Sequence, residues 1–338
     1  MLIDSLLLVL LIYSFYGCSI NNNSINENIS LNNTNSLKAI FVFVVIFCHL
    51  TNTVETGKIF WIFDSLGTFA VAIFLFISGY GLIKRHIQTD NYEQKLITKR
   101  IPKLITMLLF VSIFYIAYYL INGYSFTSLI SKTLGMFSNG DSIVNNSWYV
   151  YLSFELYLIF FIAIKLFKKN IKSILLFVSI FCLMQMILMK YFNFCMCWYV
   201  TTFNFAFGAI YSFYEKDIIS FIKKHYYILL VGFTLLLGVL FYINLTNSFI
   251  SDNLLFYIFK YIVFSICIIL VTYKINLGNK MLNFIYPISF EIYLIHGLVI
   301  MILEEYILND FLLSVLCIIL SIVMGIIVNK AYKLLSRK

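Results

Sequence analysis

Apolar residues run along this chain in blocks of about twenty, separated by short polar joints. A helix needs roughly 20 residues, at about 1.5 Å each, to cross the hydrocarbon of a bilayer. From Lys38 onward ten such blocks can be read, over 38–54, 64–83, 104–121, 147–164, 173–190, 197–214, 226–244, 254–273, 284–303 and 311–329. The expected fold is all-α, a polytopic transmembrane helical bundle of about ten spans. Ahead of it, residues 1–20 are apolar, with Asp4 as their only charge. They lack the cationic start and small-residue cleavage site of a secretory signal, so a short extra membrane or interfacial segment is expected. Residues 21–36 are rich in Asn and Ser and read as a polar linker, leaving 37–338 as the membrane domain. No internal repeat stands out, and no matched pair of Gly/Pro-broken helices is visible.

Composition sharpens the class. Of 338 residues, 62% are hydrophobic and 12% charged, about half the charge of a soluble domain. The mean hydropathy is +0.94. No polar stretch is long enough to hold a soluble domain. A net charge of +9 could suggest nucleic acid, but the cations are not scattered. If Lys38 stands at the cytoplasmic surface, the segments 84–103, 165–172, 215–225, 274–283 and 330–338 are cytoplasmic too. Of the 24 Lys and Arg residues, only Lys58, Lys132, Lys190 and Lys260 then fall elsewhere. That bias is the positive-inside rule. It accounts for the charge without nucleic acid, makes membrane lipids the surroundings, and puts the C-terminus in the cytoplasm. The seven cysteines form no CxxC. Cys195 and Cys197 are the one close pair, and packing is the simpler use for them than a metal or disulfide. No metal is expected.

Candidate chemistry begins with His49, because an ionisable side chain in an apolar span usually faces a cavity or a partner. Lys38 lies eleven residues earlier, about 20° from exact alignment and about 16 Å along the axis, so the two share a helix face. With Lys38 at the surface, His49 is expected near mid-bilayer. Its imidazole could deprotonate a sugar hydroxyl or carry an acyl group, or it could simply bond a neighbouring helix. Ser78 and Tyr80 sit in Ser78-Gly79-Tyr80-Gly81, just before Lys84-Arg85; the glycines suit close helix approach. Arg85 and Arg100, with Lys99 and Lys103, either anchor helices to anionic lipid or hold phosphates. Trp148 suits an interfacial belt, and Glu155 lies about 10 Å further along that helix. In the ninth span Ser289, Tyr293 and His296 share a face, whereas Glu291 is about 140° from His296. Lys260 is an isolated intramembrane cation that could pair with a carboxylate or snorkel outward.

Taken together and in order, these motifs resemble those of acyltransferase family 3, the integral membrane O-acyltransferases. The family opens with Arg, ten residues and His; here Lys38 and His49 stand at that spacing. A Phe-rich helix ending Ser-Gly-Phe/Tyr is matched by Phe74 to Tyr80. A basic segment with Pro is matched by Arg100-Ile101-Pro102-Lys103, with Pro one residue early. Trp148-Tyr149, Phe203 to Gly208 and Ser289 to His296 complete the pattern, over about 36–335. The main departure is Lys38 in place of Arg, which keeps the charge and loses the bidentate fork.

The resemblance implies an acyl-CoA-dependent O-acetyltransferase of the bacterial plasma membrane, modifying a cell-surface or lipid-linked glycan such as an exopolysaccharide. Acetyl-CoA would be the donor, with Arg85, Arg100, Ser78 and Tyr80 about it. His49 would be catalytic, with Lys38 and Glu291 in support. Trp148, Glu155 and His296 would face the acceptor. Other glycan-synthesis proteins of the membrane are conceivable partners. The alternative from another class is a glycan or solute transporter or flippase, to which intramembrane His, Glu and Lys are equally suited. A third is a member that senses or scaffolds without acyl chemistry.

Overall fold

The computed structural model of the protein describes residues 2–20, 29–55, 57, 60–139, 142–247, 250 and 252–335. The principal helices are α1 (Leu2–Phe15), α2 (Leu31–Leu50), α3 (Phe63–Gln88), α4 (Ile101–Ile121), α5 (Phe126–Asn139), α6 (Trp148–Phe167), α7 (Ile171–Tyr191), α8 (Phe203–Phe213), α9 (Glu215–Thr246), α10 (Leu254–Lys274), α11 (Ser289–Glu304) and α12 (Asp310–Leu335). Strands are confined to a two-residue pair, β1 (Ser19–Ile20) antiparallel to β2 (Ile275–Asn276). Among the described residues nine helical segments are long and apolar enough to cross a membrane. The protein is an all-α polytopic bundle. α2, α3 and the segment ending in α11 are the most enclosed; α9 lies at the periphery.

The expected span over 197–214 is corrected. In its place stand an irregular stretch and the 11-residue α8, which rises only about 16 Å. The chain still traverses the bundle here. Lys190, at the end of α7, is 3.2 Å from Asp252 ahead of α10. Glu215, just after α8, is 3.1 Å from Lys84 near the opposite end of α3. We refer to the latter as the basic end. Non-helical backbone at membrane depth must find partners inside the protein, and this stretch does. Trp198, Thr201 and Thr202 are buried. The Trp198 indole donates to the Met136 carbonyl at 3.0 Å. The Asn204 amide donates to Ser265 Oγ at 2.7 Å and to the Tyr261 carbonyl at 3.2 Å. Average hydropathy cannot distinguish such a broken crossing from a continuous helix.

α8 is seated on α3 backbone to backbone. A Cβ at Gly79 would fall on the Phe205 carbonyl, and a Cβ at Gly208 on the Phe76 carbonyl. The two glycines are reciprocal, each clearing space for the other helix, the small-residue contact by which membrane helices approach closely.

The polar stretch expected to be a linker ends earlier than its composition suggests. Its residues 21–28 lie outside the described residues, but α2 already begins at Leu31, with the Ser30 side chain accepting from Asn33 N at 3.0 Å. Asn33 is fully buried. Its amide donates to the Thr272 and Ile275 carbonyls at 2.9 and 3.2 Å, and its carbonyl accepts from Leu277 N at 2.7 Å. Asparagine here is a connector, satisfying three backbone groups at the frayed end of α10. α1, with 14 residues, packs along α12 and beside the turn Phe60–Ile62. Beyond its far terminus the Asn279 amide donates to the Tyr13 and Tyr16 carbonyls at 2.7 and 3.1 Å. Its Leu8, Val9, Leu11 and Ile12 are exposed, which suits a lipid-facing segment.

Gly79→Ala and Gly208→Ala should each lower stability by about 1–3 kcal/mol, because a methyl group would overlap backbone that cannot turn aside. Gly238→Ala, in mid-helix where nothing lies within 4 Å, should not lower it. Thermal unfolding in detergent, followed by tryptophan fluorescence, checks the contrast.

Candidate functional site

A cavity of about 570 Å³ opens at the basic end between α2, α3, α4 and α6. Lys38 enters it from α2; Ser78, Tyr80, Lys84 and Arg85 from α3; Arg100 and Lys103 from α4 and the turn before it; Tyr157 from α6. Five of its lining side chains are cationic and, among the described residues, none is a carboxylate. That is the electrostatics of an anion site. Local backbone helps to build it. Residues Leu96–Arg100 form a π-helical turn directly ahead of α4, a device that shifts side-chain phase and recurs at functional sites. It leaves the Arg100 guanidinium 5.6 Å from the Tyr92 ring centroid. Arg100 and Lys103 are then three residues apart on one face.

The cavity wall is braced by hydrogen bonds. Ser78 Oγ and the Tyr157 hydroxyl lie 2.8 Å apart, tying α3 to α6. The Tyr80 hydroxyl donates to Glu215 Oε1 at 2.6 Å and accepts from Lys84 Nζ. Glu215 Oε1 also accepts from the Ile29 backbone N–H at 3.2 Å. One carboxylate thus joins α3, the start of α9 and the approach to α2. It offsets part of the Lys84 charge and leaves Lys38, Arg85, Arg100 and Lys103 to dominate the cavity.

The second feature is a pair of imidazoles. The His49 and His296 rings have centroids 5.2 Å apart, inclined by 30°. α2 ends at Leu50, so His49 stands in its last turn. α11 continues for eight residues past His296 to Glu304, about 12 Å further, so the pair is not at the bundle's edge. Tyr149 and Tyr293 meet edge to face at 5.4 Å, and the Tyr293 ring is 5.9 Å from His296. The loop before α6 closes over α11. Tyr293 donates to the Asn146 carbonyl at 2.5 Å, and Asn145 packs where a Cβ on Gly297 would stand.

The residues singled out from sequence therefore divide. Lys38, Ser78, Tyr80, Arg85 and Arg100 come together in one cavity. His49 and His296 come together about three helical turns beyond Lys38 on α2. Trp148 is buried against Tyr149, whose ring contacts Tyr293. Glu291 is fully buried on α11, where its Oε1 accepts from Asn329 on α12 at 2.7 Å and its Oε2 has no hydrogen-bond partner. Glu155 faces α7, where Gln185 donates to it at 3.4 Å. Lys260 is buried among the Phe69, Phe256, Tyr257 and Tyr261 rings, and donates to Asn244 at 2.8 Å. Sequence reasoning missed the stacking of the two histidines, since nothing in either segment names the other. It also missed Tyr157 and Glu215, which follow no local pattern.

An all-helical membrane bundle with a cationic cavity at one end and two stacked imidazoles deeper in defines the class: a multi-pass membrane protein with polar groups enclosed in its helix bundle. A family model described as an acyltransferase domain matches residues 31–330. The chain belongs to that family, acyltransferase family 3, and the family is one of membrane acyltransferases. No curated protein matches the chain, and no solved structure does.

Glu215→Gln removes the charge opposite Lys84 and should cost about 1–3 kcal/mol of stability. Tyr80→Phe, which loses one neutral donor, should cost about 0.5–1.5 kcal/mol. Thermal unfolding of the two variants in parallel measures the difference.

Proposed function

We propose that this protein transfers an acetyl or other short acyl group from acyl-CoA to a hydroxyl of a cell-surface or lipid-linked glycan. The supporting observation is a single helix that carries both halves of such a site. α2 places Lys38 in the cationic cavity and His49 against His296, about 16 Å further on. A nucleotide-bearing donor has phosphates that suit Arg85, Arg100, Lys103 and Lys38, and a slender thioester arm that suits the interval between them and His49. Arg100 and Arg85 can bind phosphate with two parallel hydrogen bonds; Lys38 contributes a point charge.

In this reading His49 is the general base. The acceptor oxygen attacks the thioester carbonyl as its proton passes to a free nitrogen of His49. The C–O bond forms, the C–S bond breaks, and the departing thiolate takes the proton back from His49. A variant in which His49 first carries the acyl group uses the same atoms in two steps. The basic end faces the cytoplasm, where acyl-CoA resides, and the C-terminus lies on that side. The bias of Lys and Arg toward the segments at this end supports that orientation in a bacterial plasma membrane.

In proteoliposomes supplied with radiolabelled acetyl-CoA and a glycan acceptor fraction, His49→Ala should reduce label transfer by about 100-fold or more. Arg100→Ala should raise KM for acetyl-CoA about tenfold or more, corresponding to loss of one charge-assisted contact. Transfer undiminished in His49→Ala would remove the base from this scheme.

A further inference from the structure

The neutral imidazole of a general base must present one nitrogen to the substrate and keep its hydrogen on the other. Something has to decide which is which. Most enzymes use a carboxylate. Glu291, the acidic residue nearest in sequence to His296, is engaged with Asn329 instead. Yet His296 is fully buried and its ring is stacked on that of His49.

His296 is itself fixed. Its Nδ1 lies 2.6 Å from the Tyr293 carbonyl oxygen. A carbonyl only accepts, so Nδ1 carries the hydrogen, and Nε2 of the neutral ring holds a free lone pair. Nε2 is buried and has no hydrogen-bond partner. An acceptor held in that state is costly unless a donor reaches it during the protein's work. Among the described residues, the rings in contact with His296 are those of Tyr293 and His49. The Tyr293 hydroxyl is already committed to the Asn146 carbonyl. Among the described residues the His49 imidazole makes no hydrogen bond, and it has a donor to give.

We propose that His296 is the positioning residue for His49: its Nε2 accepts the N–H of the His49 imidazole, fixing the tautomer in which the opposite nitrogen is free to take the acceptor's proton. This rests on the proposed role of His49 as base. No bond to carbon changes at His296, and the transferred proton stays on His49 until the thiolate removes it. Small rotations of the two rings convert the stacked arrangement into the hydrogen-bonded one. The other titratable groups around the pair are Tyr293 of α11, Tyr149 of α6, Tyr115 of α4, which donates to the Leu294 carbonyl at 3.2 Å, and Cys48 of α2, directed to the Asp64 carbonyl. Among the described residues, no carboxylate forms an ion pair with either ring.

The test uses full-length protein in lipid nanodiscs and two variants. His296→Gln keeps an acceptor oxygen; His296→Phe keeps a ring and loses the acceptor. The chain has four histidines, so ¹⁵N-histidine spectra can be assigned by single substitutions. The wild type should show His296 protonated at Nδ1 and a single tautomer of His49. His296→Phe should give a mixture of His49 tautomers, lower kcat for acetyl transfer about 100-fold and leave KM for acetyl-CoA unchanged. His296→Gln should recover most of kcat. His296 protonated at Nε2, an unaltered His49 tautomer in His296→Phe, or a rise in KM without loss of kcat would each overturn the proposal. If His49→Ala retained transfer, the base assignment would fail on its own. The tautomer spectra need no turnover and would still decide whether His296 orders the His49 ring.

Discussion

The contact on which the rest of this structure depends is the approach of α3 to α8 without intervening side chains. Gly79 and Gly208 each leave room for a carbonyl of the opposite helix. In lipid no hydrophobic force draws helices together, so close packing of this kind supplies the attraction. Its effect is felt at both ends of the site. Ser78, Tyr80 and Lys84 flank Gly79 and reach the cavity and Glu215 because α3 is held at that depth and rotation. α8 in turn completes a crossing that its own eleven residues are too few to make.

Polar groups inside the bundle are handled in two different ways. Some serve as fasteners, each meeting backbone or side-chain partners that would otherwise be stranded in hydrocarbon. Asn33, Asn204 and Glu215 are of this type. Lys260 belongs with them, its cation cushioned by four aromatic faces. Others are left with capacity unused, as His296 Nε2 is. In a bilayer, burying such an unmet polar atom is costly.

Much of this was legible in the chain. The apolar blocks announce the helices because hydrocarbon thickness leaves little choice of length. The cluster of Lys and Arg residues announces the cavity, since Arg85 and Arg100 stand near helix ends and Lys38, two turns into α2, converges with them. The family's motifs brought out Ser78 and Tyr80, which periodicity alone would have left as packing residues. What could not be read was pairing between distant segments. His49 and His296 are 247 positions apart, and helical phase places each on a face without saying which helix that face meets. The contact of Glu291 with Asn329 was out of reach for the same reason, because Asn329 lies on a helix whose rotation no local signal sets. The broken crossing escaped because its residues are as apolar as those of an unbroken one.

The start of α2 is held by groups supplied from near the far end of the chain. Asn33 bonds to residues 272–277, β1 pairs with β2, and Ile29 leans on Glu215. A ribosome makes these segments in the reverse order of need. The first long helix enters the membrane with its polar terminus unmatched, and stays so until some 240 more residues have been synthesised. The cavity that includes Lys38 and Thr34 therefore cannot be complete in any nascent chain shorter than about Leu277. Translation itself, through the order in which helices leave the insertion machinery, keeps the site closed for business until nearly the whole bundle is in place.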